Sequence, residues 1–345
     1  MIENSNFWKN KRVLVTGHTG FKGSWLSLFL KYLDAEVYGI SKEPNEGVYK
    51  DVGLSKVFAG ESFVDISSYE FLNCETEIRR FNPDIVFHFA AQSLVYKGYT
   101  DPLETLKTNI IGTFNVLNSL KEIDSLKTIV VATTDKVYKK SDFNNIEDSP
   151  LGGKDFYSSS KVGTENVVTA FANMQKLFNI SVVRSGNVIG GGDRAEKRLV
   201  VELIESLKKN KDFLLRKPNS IRPWQYILDS VFGYLLVAEE NYKKDTAEIY
   251  NLNSKTNNKY DAKFIAEKFV NTWGSKISIN ILDNEEFEEV DVLRIDSSKA
   301  KKKLGWIPKV SIEKLVEETV KWEKFHSTNN TLDFSFEQIN NYLEI

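Results

Sequence analysis

Two short constellations in this 345-residue chain hold side chains that can move protons. The first is Val130 to Tyr138, VVATTDKVY, where an apolar run breaks into Thr133, Thr134, Asp135 and Lys136. The second is Tyr157-Ser-Ser-Ser-Lys161, which sets a phenol and an ammonium one helical turn apart on one face. Together they supply an acid, a base and a cation to tune the phenol. An unperturbed tyrosine has a pKa of about 10, so a tyrosine base working near neutrality must have its phenolate favoured by about 4 kcal/mol. Each piece alone has a bland reading, since acid–base pairs at strand ends are often solvated and YxxxK spacings occur on many surface helices. Their position downstream of a glycine-rich turn joins them.

The elements that must position these groups follow from hydrophobic patterning. Lys11 to Thr16 (KRVLVT) reads as a buried strand, followed at once by Gly17-His-Thr-Gly20-Phe-Lys-Gly23 and an apolar helix over Ser24 to Tyr32. Strand, glycine turn and helix in that order suit a dinucleotide: the glycines admit backbone to a pyrophosphate, which sits on the helix N-terminus. His18 within the turn reads as a solvated loop residue. Glu36 to Ser41 is the expected second strand; it ends at Ser41 and Lys42 rather than at a carboxylate, so it leaves NAD and NADP both open. Phe63 to Ile66 is a third candidate strand, with Asp65 able to meet an adenine amine, and Asp84 to Ala91 (DIVFHFAA) a fourth, with Ala90 and Ala91 small enough to let a ribose pass. His88 reads as a core histidine. Helical spacing over residues 104–120 carries Asn109, and a sixth strand precedes Asn187 within 177–190. Strands alternating with helices predict an α/β fold, a doubly wound parallel sheet of Rossmann type, with VVATT buried and the polar payload at its carboxyl edge. The strand must end near Thr134, because neighbours in a continuing strand face opposite ways.

Composition narrows the partners. With 46 Lys+Arg against 48 Asp+Glu there is no global field favouring nucleic acid or acidic membranes. The lysine clusters 208–211 and 299–303 read as solvated helix faces. A single cysteine, Cys74, and three scattered histidines leave no internal disulfide and no metal cluster. The N-terminal residues are too polar for a signal peptide, and no apolar run approaches the roughly 20 residues of a membrane span, so the cytoplasm is expected.

TGHTGFKG, HFAAQ, TTDKVY and YSSSK, in this order, resemble the extended short-chain dehydrogenase/reductase family. The Asp-Lys pair after the strand threonine is similar to that of the nucleotide-sugar 4,6-dehydratases, and TGHTGFKGSWL, RSGNVIGGGD and IRPWQY resemble the branch acting on CDP-glucose. The resemblance spans about Phe7 to Trp322. It implies NAD as cofactor, bound by Gly17, Thr19, Gly20, Phe21, Lys22, Gly23, Ser41, Asp65, Ile66, Ala90, Ala91, Gln92, Asn109, Tyr157 and Lys161. It implies a homodimer formed through helices 104–120 and 157–177. Tyr157 would take the proton of the sugar 4-hydroxyl, with Lys161 favouring its phenolate and Thr134 bonding the same oxygen. Asp135 would protonate the departing 6-hydroxyl and Lys136 take the C5 proton. Gln92, Thr134, Asn187, Arg198, Arg222 and Trp224 would contact the substrate, the arginines through their planar forks. The chemistry orders the steps: the C5 proton becomes removable only once C4 is a carbonyl, so C4 oxidation precedes loss of water, and hydride return to C6 closes the cycle. Such a cycle yields a 4-keto-6-deoxy sugar, for a cell-surface glycan such as O-antigen lipopolysaccharide.

The expected division is residues 1–190, mainly dinucleotide-binding, 191–325, mainly a smaller nucleotide-sugar lobe with the chain crossing between the two, and 326–345 as an extension without assigned role. The Asp-Lys pair also resembles dehydratases acting on UDP-N-acetylglucosamine, so it names the reaction better than the substrate. Rival readings are a dehydratase of a dTDP-, GDP- or UDP-linked sugar, a 4-epimerase in which Asp135 and Lys136 are incidental, and a non-catalytic dinucleotide sensor.

Overall fold

Short runs of Val, Ile, Leu and Phe, each preceded or followed by an amphipathic helix, pair side by side into one parallel sheet. The computed structural model describes residues 6–141, 143–175, 177–254, 260–282, 294–326 and 330–345. The strands are β1 (Arg12–Thr16), β2 (Glu36–Ser41), β3 (Gly60–Phe63), β4 (Ile85–His88), β5 (Thr128–Thr134) and β6 (Asn179–Ser185), with Ile249–Leu252 on the far edge. Across the seven-stranded sheet the order is Ile249–Leu252, β6, β5, β4, β1, β2, β3. The chain steps outward from β1 to one edge, then crosses to β4 on the other side. That reversal opens a crevice at the carboxyl ends of β1 and β4, where ligands bind in open α/β sheets.

Two expected boundaries move. The third strand ends at Phe63, so Asp65 and Ile66 lie in the turn beyond it. The helical run over 104–120 is a helix (Pro102–Leu106), a π-helical turn (Lys107–Ile111) and a second helix (Gly112–Ser119). Its extra residue turns Asn109 inward, where it is 1% exposed.

Both faces of the sheet are covered. One buries Trp8, Trp25, Phe29, Phe87, Tyr234 and Trp322 in a single apolar cluster, and the other buries Leu14, Phe71, Leu117, Ile129 and Val182. At roughly 2–3 kcal/mol per fully buried large side chain, these layers hold the sheet in place beneath the site. Beyond β6 the chain builds a lobe from helix Leu199–Lys208 and two small two-stranded sheets, one pairing Val188–Ile189 with Gln225–Tyr226 and the other Phe213–Leu215 with Ile279–Ile281. Between their strands it returns, helix Ile227–Lys244 packing on β5, β6 and helix Phe21–Tyr32, and Ile249–Leu252 completing the large sheet. The final helix, Thr331–Glu344, docks against the first one, with Tyr32 Oη donating to Asn340 Oδ1 at 2.6 Å and Tyr342 Oη to the buried Asp229 at 2.9 Å. Among the described residues no helix is long and apolar enough to cross a membrane.

Candidate active site

β5 stops at Thr134, and a 3₁₀ turn over Asp135–Val137 begins there because the Thr134 hydroxyl accepts the Lys136 N–H at 3.3 Å. Thr133 points to the opposite side, donating to Glu165 Oε1 at 2.8 Å. Glu165 is in turn gripped by the fork of Arg184, 2.6 Å at the nearer pair, with both side chains buried. This pair, whose charges satisfy one another away from water, fixes the end of β5. A capping box at Asp155 and Ser158 starts helix Phe156–Met174, which places Tyr157 in its first turn and Lys161 one turn on. Lys161 Nζ donates to Ala132 O at 3.3 Å, tying helix to strand.

Burial dominates the electrostatics. It pushes the Tyr157 phenol up to about 12, opposed by a hydrogen bond with Thr134, reinforced by the Asp135 charge and opposed again by Arg198. Burial brings the Lys161 ammonium down to about 8, with Glu165 pulling it back up, so it still carries its charge near neutrality beside Tyr157. Thr134 and Arg198 both ease Tyr157 toward its anion. Lys22, from the glycine turn, is lowered to about 7 by burial and by Arg198, with Asp135 opposing and Lys161 and Lys136 adding to the fall. Lys22, Lys136, Lys161 and Arg198 therefore share a single enclosure, with Asp135 close behind its wall.

The glycine turn fits a dinucleotide. Gly17 has φ +77°, and a Cβ there would lie 2.5 Å from Ala90 N; a Cβ on Gly23 would lie 2.1 Å from Gly17 O. Helix Phe21–Tyr32 starts at Gly20 with no side-chain cap, leaving its first N–H groups for an anion. Thr19 and Ser41 share a 2.7 Å hydroxyl bond. At the ends of β2 and β3, Asp65 accepts from Ser67 N and Oγ and pairs with Lys42 at 2.7 Å, while Lys42 also reaches Glu104 at 3.1 Å. Gly17, Thr19, Gly20, Phe21, Lys22, Gly23, Ser41, Asp65, Ile66, Ala90, Ala91 and Gln92 all line one cavity of about 700 Å³.

Two expectations need correcting here. Asn109 does not line that cavity: it accepts from Gln92 N at 2.8 Å and donates to Gln92 O and Ser160 Oγ, so it positions the loop after β4 from behind. His18 is not solvated but fully buried, bonded to Glu61 Oε1 at 2.9 Å, and burial lowers it to about 4. His88 is the expected core histidine, held between Thr16 and Thr113 hydroxyls at 2.7 and 2.9 Å.

Thr134, Lys136, Tyr157, Lys161, Asn187, Arg198, Arg222 and Trp224 line the same cavity. Asp135 sits just behind its wall, 1% exposed; among the described residues its Oδ2 has no hydrogen-bond partner, and it lies near Gly186, where a Cβ would come within 2.9 Å of it. Trp224 is fixed by an indole N–H donated to Tyr260 O at 3.0 Å. Lys208, expected on a solvated face, pairs with the buried Glu323 at 2.7 Å.

Several contributors carry no motif that sequence reading uses. Asp193 holds Arg198 at 2.7 Å, and Arg198 also reaches Ser93 Oγ at 3.5 Å. Tyr96 donates to Glu196 at 2.6 Å across the cavity mouth. Only the GGGD run before Arg194 hinted at a constrained loop here.

The arrangement can bind a dinucleotide along the glycine turn, place a second anionic ligand between Arg198 and Arg222, and run proton transfers beside Tyr157. Comparison with known proteins bears on the family and the fold. Residues 14–319 match the model of a family described as GDP-mannose 4,6 dehydratase. The chain is 39% identical to a CDP-glucose 4,6-dehydratase of Salmonella typhimurium, covering 92% of each chain, and 29% identical to a mouse dTDP-D-glucose 4,6-dehydratase, covering 93% and 91%. A UDP-glucose-4-epimerase from Stenotrophomonas maltophila, solved with bound NAD, superposes with a TM-score of 0.79 at 18% identity, covering 92% of this chain and 98% of that one. At that identity the likeness shows the fold.

Proposed function

The chain belongs to the GDP-mannose 4,6 dehydratase family of nucleotide-sugar 4,6-dehydratases, and on that premise we propose that it converts CDP-glucose to CDP-4-keto-6-deoxyglucose with NAD as its cofactor. The observation that carries this reading is the meeting of Thr134, Lys136, Tyr157 and Lys161 with the glycine turn in one cavity, behind whose wall Asp135 keeps an unpartnered oxygen among the described residues. CDP-glucose is chosen over other carriers because the Salmonella relative is matched at 39% identity over nearly its whole length, against 29% for the dTDP-glucose enzyme of mouse.

Gly17, Gly20 and Gly23 with the N-terminus of helix Phe21–Tyr32 would hold the cofactor pyrophosphate, Ser41, Asp65 and Ile66 its adenosine end, and Tyr157 and Lys161 its nicotinamide end. Bound there, NAD would supply a hydride acceptor for sugar C4 and, in its reduced form, a hydride donor for C6. Tyr157 takes the proton of the 4-hydroxyl, and Thr134 bonds the same oxygen. Lys136 takes the C5 proton once C4 is a carbonyl, Asp135 gives a proton to the 6-hydroxyl as it leaves, and Lys136 returns a proton to C5 as hydride adds at C6. Arg198 and Arg222 neutralise the diphosphate beside Asn187, with Trp224 flanking it.

The same reading includes a homodimer, a cytoplasmic location and a place in deoxysugar synthesis for a cell-surface glycan such as O-antigen lipopolysaccharide, with no nucleic-acid or membrane partner. Its dimer face is the helix pair 104–120 and 157–177, on which Ile111 and Phe114 are 49% and 46% exposed. Residues 191–325 supply mainly the nucleotide-sugar lobe, with the chain crossing back to the large sheet at Ile249–Leu252.

A magnetic-resonance time course tests the reaction, with CDP-, dTDP-, GDP- and UDP-glucose and UDP-N-acetylglucosamine, without and then with added NAD and NADP. A C6 methyl signal from CDP-glucose alone is expected. A methyl signal from another sugar nucleotide instead would reassign the carrier, and silence from all five would overturn the dehydratase.

A further inference from the structure

Outside the reacting groups, one buried carboxylate is gripped by three donors from distant parts of the chain. It belongs to Glu323, in helix Ile312–His326, and is 1% exposed. Its Oε1 accepts from Gly192 N at 2.8 Å and Arg194 Nη1 at 2.7 Å, and its Oε2 from Lys208 at 2.7 Å. Burial pushes the Glu323 carboxyl up, but Arg194 and Lys208 outweigh it and hold the carboxyl below its ordinary range, so it stays charged. Its first two partners flank Asp193 in the chain, on either side of the residue that grips Arg198 at 2.7 Å. Arg194 adds bonds to Asp193 O at 3.1 Å and Asp51 Oδ2 at 2.8 Å.

The glycines of this loop are pressed onto the same helix. A Cβ on Gly191 would lie 2.3 Å from the Trp322 ring, and Gly192, at φ +81°, would meet Val48 at 2.3 Å and Trp322 at 2.9 Å. Gly191 O accepts from Trp25 Nε1 at 3.0 Å. The loop 191–194 is thus clamped from below by Trp322 and Glu323, and its free side presents Asp193 to Arg198.

We propose that Glu323 is a positioning residue for the nucleotide-sugar diphosphate: by holding Gly192 and Arg194 it fixes Asp193, which aims the Arg198 guanidinium into the cavity. This rests on the reading of Arg198 as a diphosphate ligand. It gives helix Ile312–His326, which packs on helices Ala262–Trp273 and Thr331–Glu344, control of a substrate contact it never touches.

The test measures affinity by calorimetry in the full chain, titrating CDP, UDP, dTDP and GDP, and separately NAD, into the wild type, Arg198→Ala, Glu323→Gln, Arg194→Lys and Lys208→Met, with thermal melts for each. For the tightest-binding nucleoside diphosphate, Glu323→Gln and Arg194→Lys are expected to raise Kd about tenfold, the effect of losing one buried charged hydrogen bond. NAD affinity should stay within about twofold, and combining Glu323→Gln with Arg198→Ala should add little to Arg198→Ala alone. Lys208→Met, which removes a partner of Glu323 but none of the loop's bonds, should lower the melting temperature without moving the diphosphate Kd. Because Glu323→Gln leaves two cations short of a partner and can prevent folding, Arg194→Lys carries the test where it does. If Arg198→Ala leaves diphosphate binding intact, the diphosphate reading fails and this proposal with it. If Arg198→Ala weakens it but the folded Arg194→Lys and Glu323→Gln proteins bind normally, or lose NAD affinity equally, the positioning role alone is overturned.

Discussion

Lys42 Nζ lies 2.7 Å from Asp65 Oδ2 and 3.1 Å from Glu104 Oε1, so the cation at the end of β2 is claimed by two carboxylates. A 2′-phosphate entering there would have to displace both and meet their charge. NAD is therefore expected to bind at least about tenfold more tightly than NADP, a difference well within like-charge electrostatics. Asp65→Asn combined with Glu104→Gln frees Lys42 and should raise the NADP to NAD affinity ratio about tenfold. Titration of both cofactors checks this; an unchanged ratio in the double variant would remove Lys42 from the selectivity argument.

Tyr157 begins near pKa 12, and its hydrogen bond with Thr134 is the largest influence opposing burial. A base acts only when deprotonated, so the rate rises with pH toward its pKa. Removing the Thr134 hydroxyl raises that pKa, and the alkaline-rising limb should move to higher pH. Thr134→Val is expected to lose about tenfold in rate near neutrality, with the loss recovered as pH increases. Tyr157→Phe should abolish oxidation at every pH. A Thr134→Val profile lowered evenly, without displacement, would mean that the hydroxyl positions sugar rather than tunes the phenol.

Lys136 and Tyr157 line the same cavity but act on different protons in the proposed cycle. Lys136→Ala should still oxidise C4 and then stall, so the near-ultraviolet absorbance of reduced nicotinamide accumulates while no methyl product forms. Rapid-mixing absorbance with the sugar nucleotide reads this directly. Full turnover in Lys136→Ala would show that another base takes the C5 proton.

Two buried histidines set an acid limit on stability. Burial lowers His18 to about 4 and His88, aided by Lys161, to about 3. Above the unfolded value of about 6.5 both states are neutral; below it the unfolded chain takes up protons that the folded one refuses, so stability falls as pH drops from 6.5 toward 4, by about 1.4 kcal/mol per histidine for each pH unit. Asp229, raised to about 6 by burial against its bonds to Lys309 N, Tyr342 and Val310 N, gives the opposite slope between about 4 and 6 and offsets part of this loss. Denaturant melts across that range should show a steep acid limb, flattened in His88→Asn. An equal slope in the variant would place the acid sensitivity elsewhere.

By itself the chain's order of residues determined the parallel sheet, the glycine turn and the polar set that meets it in one cavity, because each of these is written in short-range spacing: glycines three apart after a strand, Tyr157 and Lys161 one turn apart, Thr134 where apolar residues stop. The boundaries and partners were not legible in this way. Asp65 falls outside its strand, and a π turn rotates Asn109 off the cavity and behind the Gln92 loop. Only the tertiary structure decided that His18 is buried against Glu61, 43 residues on, that Lys42 is shared with Glu104, 62 residues on, and that Gly192 rests on Glu323, 131 residues away. No local pattern specifies such pairs. They exist because packing two faces of a sheet brings distant segments together, and burial then obliges each polar group among them to find a partner.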